Sequence, residues 1–399
     1  MAKKKGRWLK FRHKIVRNLA YIVLYPYSKI KYGVKIEKFK EQKKRPYFIV
    51  LNHQTPFDQF FVGMAFRGPV YYVATEDIFS LGFISSIIRY VIAPIPIRKQ
   101  TTDVKAVMTC LRVAKEGGTI AIAPEGNRTY SGKTEYMNPA IAPLVKKLNL
   151  PLAIFRVEGG YGAEPRWSDV VRKGKMKAYV AQVIEPEEYS ALSNDELYER
   201  IKAGLFVDEA KADNEYPHKK CAQYLERAMY VCPFCGLSEF ESKNDIVHCK
   251  KCGSKIKYTA KKELKGINCD FPFPFVSQWY DYQADFISRL DLSGYTDKPL
   301  YKDNAEVREV IVFKNKKRLF KNAEIVLYSD RLDINGEIYP FEKISAVTVL
   351  GRNKLNIYFC DKVYQLKGSK RFNALKYVHI YHRHKSIASG KGEEVFLGI

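Results

Sequence analysis

Four runs of apolar residues with almost no polar relief recur in the first half of the chain, at 47–51 (YFIVL), 70–74, 119–123 and 152–157. Successive side chains of a strand point to opposite faces, so an uninterrupted run cannot leave one face of a sheet in water. Helix-length segments separate the runs and supply the cover. The pattern predicts an α/β domain over 35–230, a mixed sheet flanked by helices. Ser193 and Glu196 form a capping box that opens a helix towards Phe206. A second helical stretch is predicted around 219–230.

At 399 residues the chain is too long for one ordinary core, and two or three domains are expected. Its formal charge of +25 favours polyanions: nucleic acid, an anionic membrane face, or substrates bearing phosphate or carboxylate. The charge is uneven. Residues 1–45 hold sixteen Lys or Arg against two acids, Glu37 and Glu41. There Trp8, Phe11, Ile15, Leu19 and Ile22 recur at three- and four-residue steps, with Lys10, Lys14 and Arg17 on the other side. A helix over 1–34 would carry an apolar stripe flanked by cations, the profile of an element lying in a lipid interface. The alternative is an ordinary packing helix with a solvated face. The longest apolar run, 19–25, stops at Pro26, far short of a bilayer span, and lacks the cleavage site that ends a secretory signal. A cytoplasmic protein, peripheral on the inner face of the cell membrane, is expected.

Cys232/Cys235 and Cys249/Cys252 form two C-x-x-C pairs with thirteen residues between them, each followed by a glycine. Four thiolates so spaced fit tetrahedral Zn2+ in a closed, structural site over 231–258. His248 is an alternative ligand that the set does not need. A closed site has no open coordination position, so this metal has no expected catalytic role.

The chemistry-bearing segment is 51–58, LNHQTPFD. It follows a buried run, and Pro56 suits the first turn of a helix. The chain can fold back there so that Asp58 meets one nitrogen of His53, fixing the tautomer and leaving the other nitrogen free as a general base. Alone, the pair is equally what a satisfied loop histidine would show. Three segments add weight: 93–98 (APIPIR), 123–129 (APEGNRT) and 150–154 (LPLAI).

In order and spacing, the four segments over roughly residues 10–210 resemble the sequence blocks of the PlsC-type glycerolipid acyltransferases, the lysophosphatidic acid acyltransferase family. NHQTPFD and PEGNR carry most of the resemblance. It implies transfer of a fatty acyl group from acyl-CoA or acyl-carrier protein to a lysophospholipid hydroxyl. His53 would be the base and Asp58 its orienting carboxylate. Arg98 and Arg128 would hold the acceptor's phosphate, and Glu125 and Gly126 would line its site. Glu125 could instead pair with Arg128 inside the fold, and Arg98 could be a solvated charge. Asn127, Arg128 and Thr129 stand where the family usually has threonine, arginine and serine, which leaves the acceptor open. The reading from another class is a nucleic-acid or scaffold binder using the cysteine module; the intact His53/Asp58 and Glu125/Arg128 sets argue against it, and nucleic acid is not expected as a partner.

A connector is expected over 259–305, aromatic and proline-containing from about 268 to 286. Short strands follow at 307–313, 323–328, 331–334, 338–340, 344–350, 354–359 and 363–367, with a last helix over 374–383. Asn335-Gly336 signals a tight turn. By pattern, 306–399 resembles a bacterial pleckstrin-homology-like domain, expected to bind a partner or lipid headgroup or to pack on the enzyme.

Overall fold

The computed structural model describes residues 7–41, 46–80, 82–97, 103–311 and 315–390. Seven strands form the first sheet: β1 (Val34–Ile36), β2 (Phe48–Leu51), β3 (Val70–Thr75), β4 (Ile95–Ile97), β5 (Thr119–Ile122), β6 (Leu152–Glu158) and β7 (Met176–Ile184). Their order is β1-β7-β6-β2-β5-β3-β4. Neighbours from β6 to β4 are parallel; β7 is antiparallel to β6, and β1 parallel to β7. The sheet is mixed.

The four apolar runs are four of its inner strands. Along β2, Phe48 and Val50 enter one apolar layer and Ile49 and Leu51 the other. Both faces are dry, which is why the run has no polar alternation. Helices α1 (Phe11–Tyr32) and α2 (Asp58–Ala65) lie on the Ile49 side. Helices α4 (Val104–Lys115), α5 (Ile141–Leu148) and α8 (Asn194–Leu205) cover the other. Between them come α3 (Phe83–Val91), α6 (Gly160–Ala163) and α7 (Pro186–Ser190). The Ser193 hydroxyl accepts from Glu196 N at 3.2 Å and the Glu196 carboxylate from Ser193 N at 2.7 Å, closing the capping box at the start of α8.

Helix α1 packs a mixed polar and aromatic face inward and leaves several apolar side chains outside. His13, Ser28 and Tyr32 are buried, and Arg17 is held by the carbonyls of Gly63 and Phe66. Of the predicted stripe only Trp8 turns inward, donating to Ala93 O at 3.2 Å. Phe11 is 78% and Leu19 60% exposed, and Ile15 and Ile22 are exposed beside them. Arg17 thus lies on the packed side, not a solvated one; backbone carbonyls take its charge. Helix α3 extends the exposed patch with Phe83, 79% exposed, and with Ile84, Ile87 and Tyr90. Arg12 joins the two helices, donating to Tyr90 O at 2.8 Å and stacking over its ring. No helix among the described residues is long and apolar enough to cross a membrane.

The helix expected around 219–230 does not form; only a 3-10 turn occurs, Leu225–Arg227. Its backbone bonds outward instead: Ala222 N to Asn244 O, Tyr224 N to the Ser242 hydroxyl, Tyr230 N and Val231 N to the Gln283 side chain. The cysteine module follows, with β8 (Val231–Cys232) and β9 (Gly236–Leu237) paired, and β10 (Phe240–Lys243), β11 (Ile246–Cys249), β12 (Lys255–Tyr258) and β13 (Leu264–Gly266) in one antiparallel sheet. The connector holds a helix, α9 (Val276–Ser288), whose Val276, Trp279, Tyr280, Gln283 and Ile287 face the core. That spacing is helical.

The last sheet, β14 (Tyr301–Glu309), β15 (Lys317–Leu327), β16 (Arg331–Ile334), β17 (Glu337–Pro340), β18 (Ile344–Leu350), β19 (Lys354–Phe359) and β20 (Lys362–Gly368), is wholly antiparallel. It curls in the order β17-β16-β15-β14-β20-β19-β18, against α10 (Leu375–Ala388). Asn335 and Gly336 both take positive φ in the β16–β17 turn, as a two-residue hairpin requires. One continuous apolar core joins Tyr130, Tyr161 and Trp167 to the cysteine module and to this sheet. The C-terminal parts are fused to the first domain.

Candidate functional site

The motif after β2 folds as a set of local constraints. Asn52, fully buried, exchanges two hydrogen bonds with the backbone of Val157, at 2.8 and 2.7 Å, and pins the end of β2 to β6. The next residue, His53, is turned out of the sheet. Asp58 opens α2, where the exposed N–H groups of a helix start favour negative charge. Its Oδ2 accepts from Gln54 N at 2.7 Å and Thr55 N at 2.9 Å, and its Oδ1 from the Thr55 hydroxyl at 2.7 Å. The same Oδ2 lies 2.8 Å from His53 Nδ1. The carboxylate is fully buried and the imidazole a quarter exposed. An acceptor at Nδ1 puts the ring proton there and leaves the Nε2 lone pair as a base. Among the described residues no side chain bonds to Nε2.

The second motif closes on the first. Glu125 does not pair with Arg128. Its Oε1 accepts from His53 N at 2.8 Å and its Oε2 from Glu135 N at 2.9 Å, while His53 O accepts from Thr129 N at 3.1 Å. This buried carboxylate fixes the backbone that presents the imidazole. Burial pushes its carboxyl up to about 8, against the pull of the two N–H groups. Gly126 sits in a turn at φ +69°, exposed, with nothing within 4 Å of where a Cβ would be. Positive φ explains the glycine, and the open space gives a ligand access to the backbone.

Arg128 Nη1 is buried without a hydrogen-bond partner among the described residues. Burial, and then the nearby Arg166 guanidinium, lower Arg128 to about 10. Asn127 and Thr129 bond to buried groups. Asn127 Oδ1 accepts from Arg166 at 3.2 Å. The Thr129 hydroxyl, fully buried, donates to Glu135 at 2.9 Å and accepts from Gly132 N at 2.9 Å. Arg98 comes directly after β4 and lies outside the described residues.

Residues that no motif marks surround this centre. Glu164 is buried; its Oε2 accepts from the Tyr32 hydroxyl and lies 3.6 Å from Lys31 Nζ, and its Oε1 accepts from Arg352. Lys31 also sits 4.6 Å over the Phe57 ring of the first motif, so the end of α1 abuts the site. These groups come from distant parts of the chain, and local spacing carries no trace of them.

The four cysteines converge elsewhere. All four Sγ atoms lie within 4.8 Å of one another, with Cys232 to Cys252 at 3.7 Å and Cys235 to Cys249 at 3.6 Å. A regular tetrahedron with ~2.3 Å metal–sulfur bonds has edges of about 3.8 Å; a disulfide would need about 2.05 Å. Gly236 and Gly253 both take φ +74° at the knuckles. The donor set can hold a metal ion, and His248 is not among its members.

No curated protein matches the chain. Among solved structures it is similar to the crystal structure of the 1-acyl-sn-glycerophosphate (LPA) acyltransferase PlsC from Thermotoga maritima, at 21% identity and a TM-score of 0.39, over 48% of this chain and 75% of that one. The protein-family model described as Acyltransferase matches residues 33–153. His53, Asp58, Glu125, Gly126 and Arg128 all lie inside the stretch that matches this family model.

Proposed function

We propose that the chain transfers a fatty acyl group from an acyl thioester, acyl-CoA or acyl-carrier protein, to the free hydroxyl of a lysophospholipid. The acceptor proposed is 1-acyl-sn-glycerol-3-phosphate and the product phosphatidic acid. The observation that carries the reading is the His53–Asp58 pair at 2.8 Å, held by Glu125 and facing outward beside Arg128. His53 Nε2 takes the hydroxyl proton as the oxygen attacks the thioester carbonyl. The carbon–sulfur bond breaks, and the departing thiolate takes a proton in turn. Asp58 stabilises the imidazolium between the two transfers. Arg128, with Arg98, holds the acceptor's phosphate, and Gly126 lets it approach the backbone. The direct test incubates purified protein with labelled acyl-CoA and lysophosphatidic acid. A labelled diacyl product is expected; its absence here and across a panel of other lysolipids would refute the assignment.

Zinc is the proposed occupant of the cysteine cluster, with a structural role. For 306–399 the pleckstrin-homology-like reading is supported by the seven-stranded curled sheet and its closing helix, and packing on the enzyme is its proposed role.

The outward apolar patch of α1 and α3, with Lys10 just before α1 and Lys14 on it both exposed, supports docking on an anionic membrane surface; the cytoplasmic face is the side proposed. Burying a phenylalanine or leucine side chain is worth about 1.5–3 kcal/mol. The double substitution Leu19→Asp, Phe83→Asp is therefore expected to weaken co-flotation with anionic liposomes about a hundredfold or more. Unchanged flotation would remove the membrane from the reading.

A further inference from the structure

The turn between β18 and β19 reaches the site around Arg128. Arg166, only 2% exposed, ties the two together. Its Nη1 donates to Arg128 O at 2.9 Å and its Nη2 to Asn127 Oδ1 at 3.2 Å. On its other side Nε donates to Gly351 O at 2.9 Å and Nη2 to Val349 O at 3.2 Å. One guanidinium thus fastens the loop of Gly126 and Arg128 to the hairpin of the C-terminal sheet.

The next residue of that turn, Arg352, points back into the cluster. It bonds to Glu164, and its Nη1 lies 3.5 Å from Asp169 Oδ1, a carboxylate that Arg227 already engages at 2.7 Å. Glu164 is therefore shared by Lys31 and Arg352, and the charges of both Glu164 and Arg352 act on Arg128. Lys31, Arg128 and Arg352 gather about Glu164, with Asp169 on the far side of Arg352 engaged by Arg227. Two of their donors, Arg128 Nη1 and Arg352 Nε, are buried with no hydrogen-bond partner among the described residues. A bare buried donor is costly, because it has given up water without gaining a partner. An oxyanion with several acceptor atoms would satisfy both guanidiniums at once.

We propose that Arg352, carried by the C-terminal sheet, completes the anion pocket of the acyltransferase domain and grips the acceptor's phosphate together with Arg128. The proposal rests on the lysophospholipid reading above and deepens it: the surplus positive charge suits a phosphomonoester, which is close to a dianion. The C-terminal sheet is then part of the active site, and Arg352 is a specificity-determining residue.

The test compares wild type, Arg352→Gln and Arg352→Lys with short-chain, monomeric lysophosphatidate and with the matching monoacylglycerol. Losing one charge-assisted contact of about 1.5–3 kcal/mol is a loss of about ten- to a hundredfold. In Arg352→Gln the ratio of kcat/KM for lysophosphatidate over monoacylglycerol should fall by that factor, through KM, with partial recovery in Arg352→Lys. Calorimetric binding of short-chain lysophosphatidate should weaken equally. A purely structural Arg352 would lower both acceptors together and leave the ratio unmoved, which overturns the proposal. If wild type transfers no acyl group but binds the lysolipid in an Arg352-dependent way, the reaction assignment falls and the anion pocket stands. Inorganic phosphate is the second ligand: binding as tight as the lysolipid's would overturn the lipid part of the inference.

Discussion

Replacing His53 with alanine is expected to lower acyl transfer by about 10²–10⁴-fold, the range for loss of a positioned general base, while leaving the fold intact. The fold should survive because Asp58 keeps Gln54 N, Thr55 N and the Thr55 hydroxyl when the imidazole is gone. The buried carboxylate stays satisfied. His53 N, which holds Glu125 at 2.8 Å, is a backbone group and remains. Steady-state kinetics on lysophosphatidate, beside a thermal melt, measure both halves. A variant that melts like wild type and retains wild-type kcat would exclude His53 as the base.

The second large effect falls on stability. A structural zinc site contributes about 10–16 kcal/mol of apparent binding energy in small zinc-finger peptides. Here Cys232 and Cys249 are buried in the core that runs from Trp167 through the cysteine module into the C-terminal sheet, and Cys235 packs against it. Stripping the metal, or replacing Cys249 with serine, should therefore loosen more than the module. The melting midpoint is expected to fall by about 10 °C or more, since 1 kcal/mol moves it by about 2–4 °C in a domain of this class. Cys360→Ser, at an exposed cysteine outside the cluster, is the control and should melt like wild type. Elemental analysis should find one zinc per chain. A metal-free protein whose midpoint ignores both a chelator and Cys249→Ser would remove the metal from the account.

Much of the candidate site was legible because its parts are close in sequence. His53 and Asp58 are five residues apart, and the fold-back between them is built from the Thr55 and Pro56 turn that the motif itself contains. The cysteine pairs are likewise local knuckles with glycine where positive φ is needed. Hydrophobic patterning located four of the five inner strands of the first sheet, since a strand buried on both faces is apolar at every position. It passed over β7, whose Ala181 and Gln182 are exposed and interrupt the apolar run, β1 and β4, too short for a period to register, and α9, whose helical spacing is masked by the prolines before it. It placed a helix over 219–230, where the backbone amides had partners on neighbouring strands and on Gln283.

The sequence by itself determined the elements whose cause lies within a few residues: buried strands, the capping box at Ser193, the histidine–aspartate turn and the cysteine knuckles. Tertiary structure alone decided which groups meet across long separations. Glu125 holds the His53 backbone instead of Arg128, Arg17 of α1 turns inward onto carbonyls while Lys14 stays exposed, and Arg352 crosses from the last sheet to Glu164. The reason is physical. Periodicity and turn chemistry report what a residue does to its neighbours in the chain. A buried charge must take whatever partner the packed fold brings within reach, and that partner can stand anywhere in the sequence.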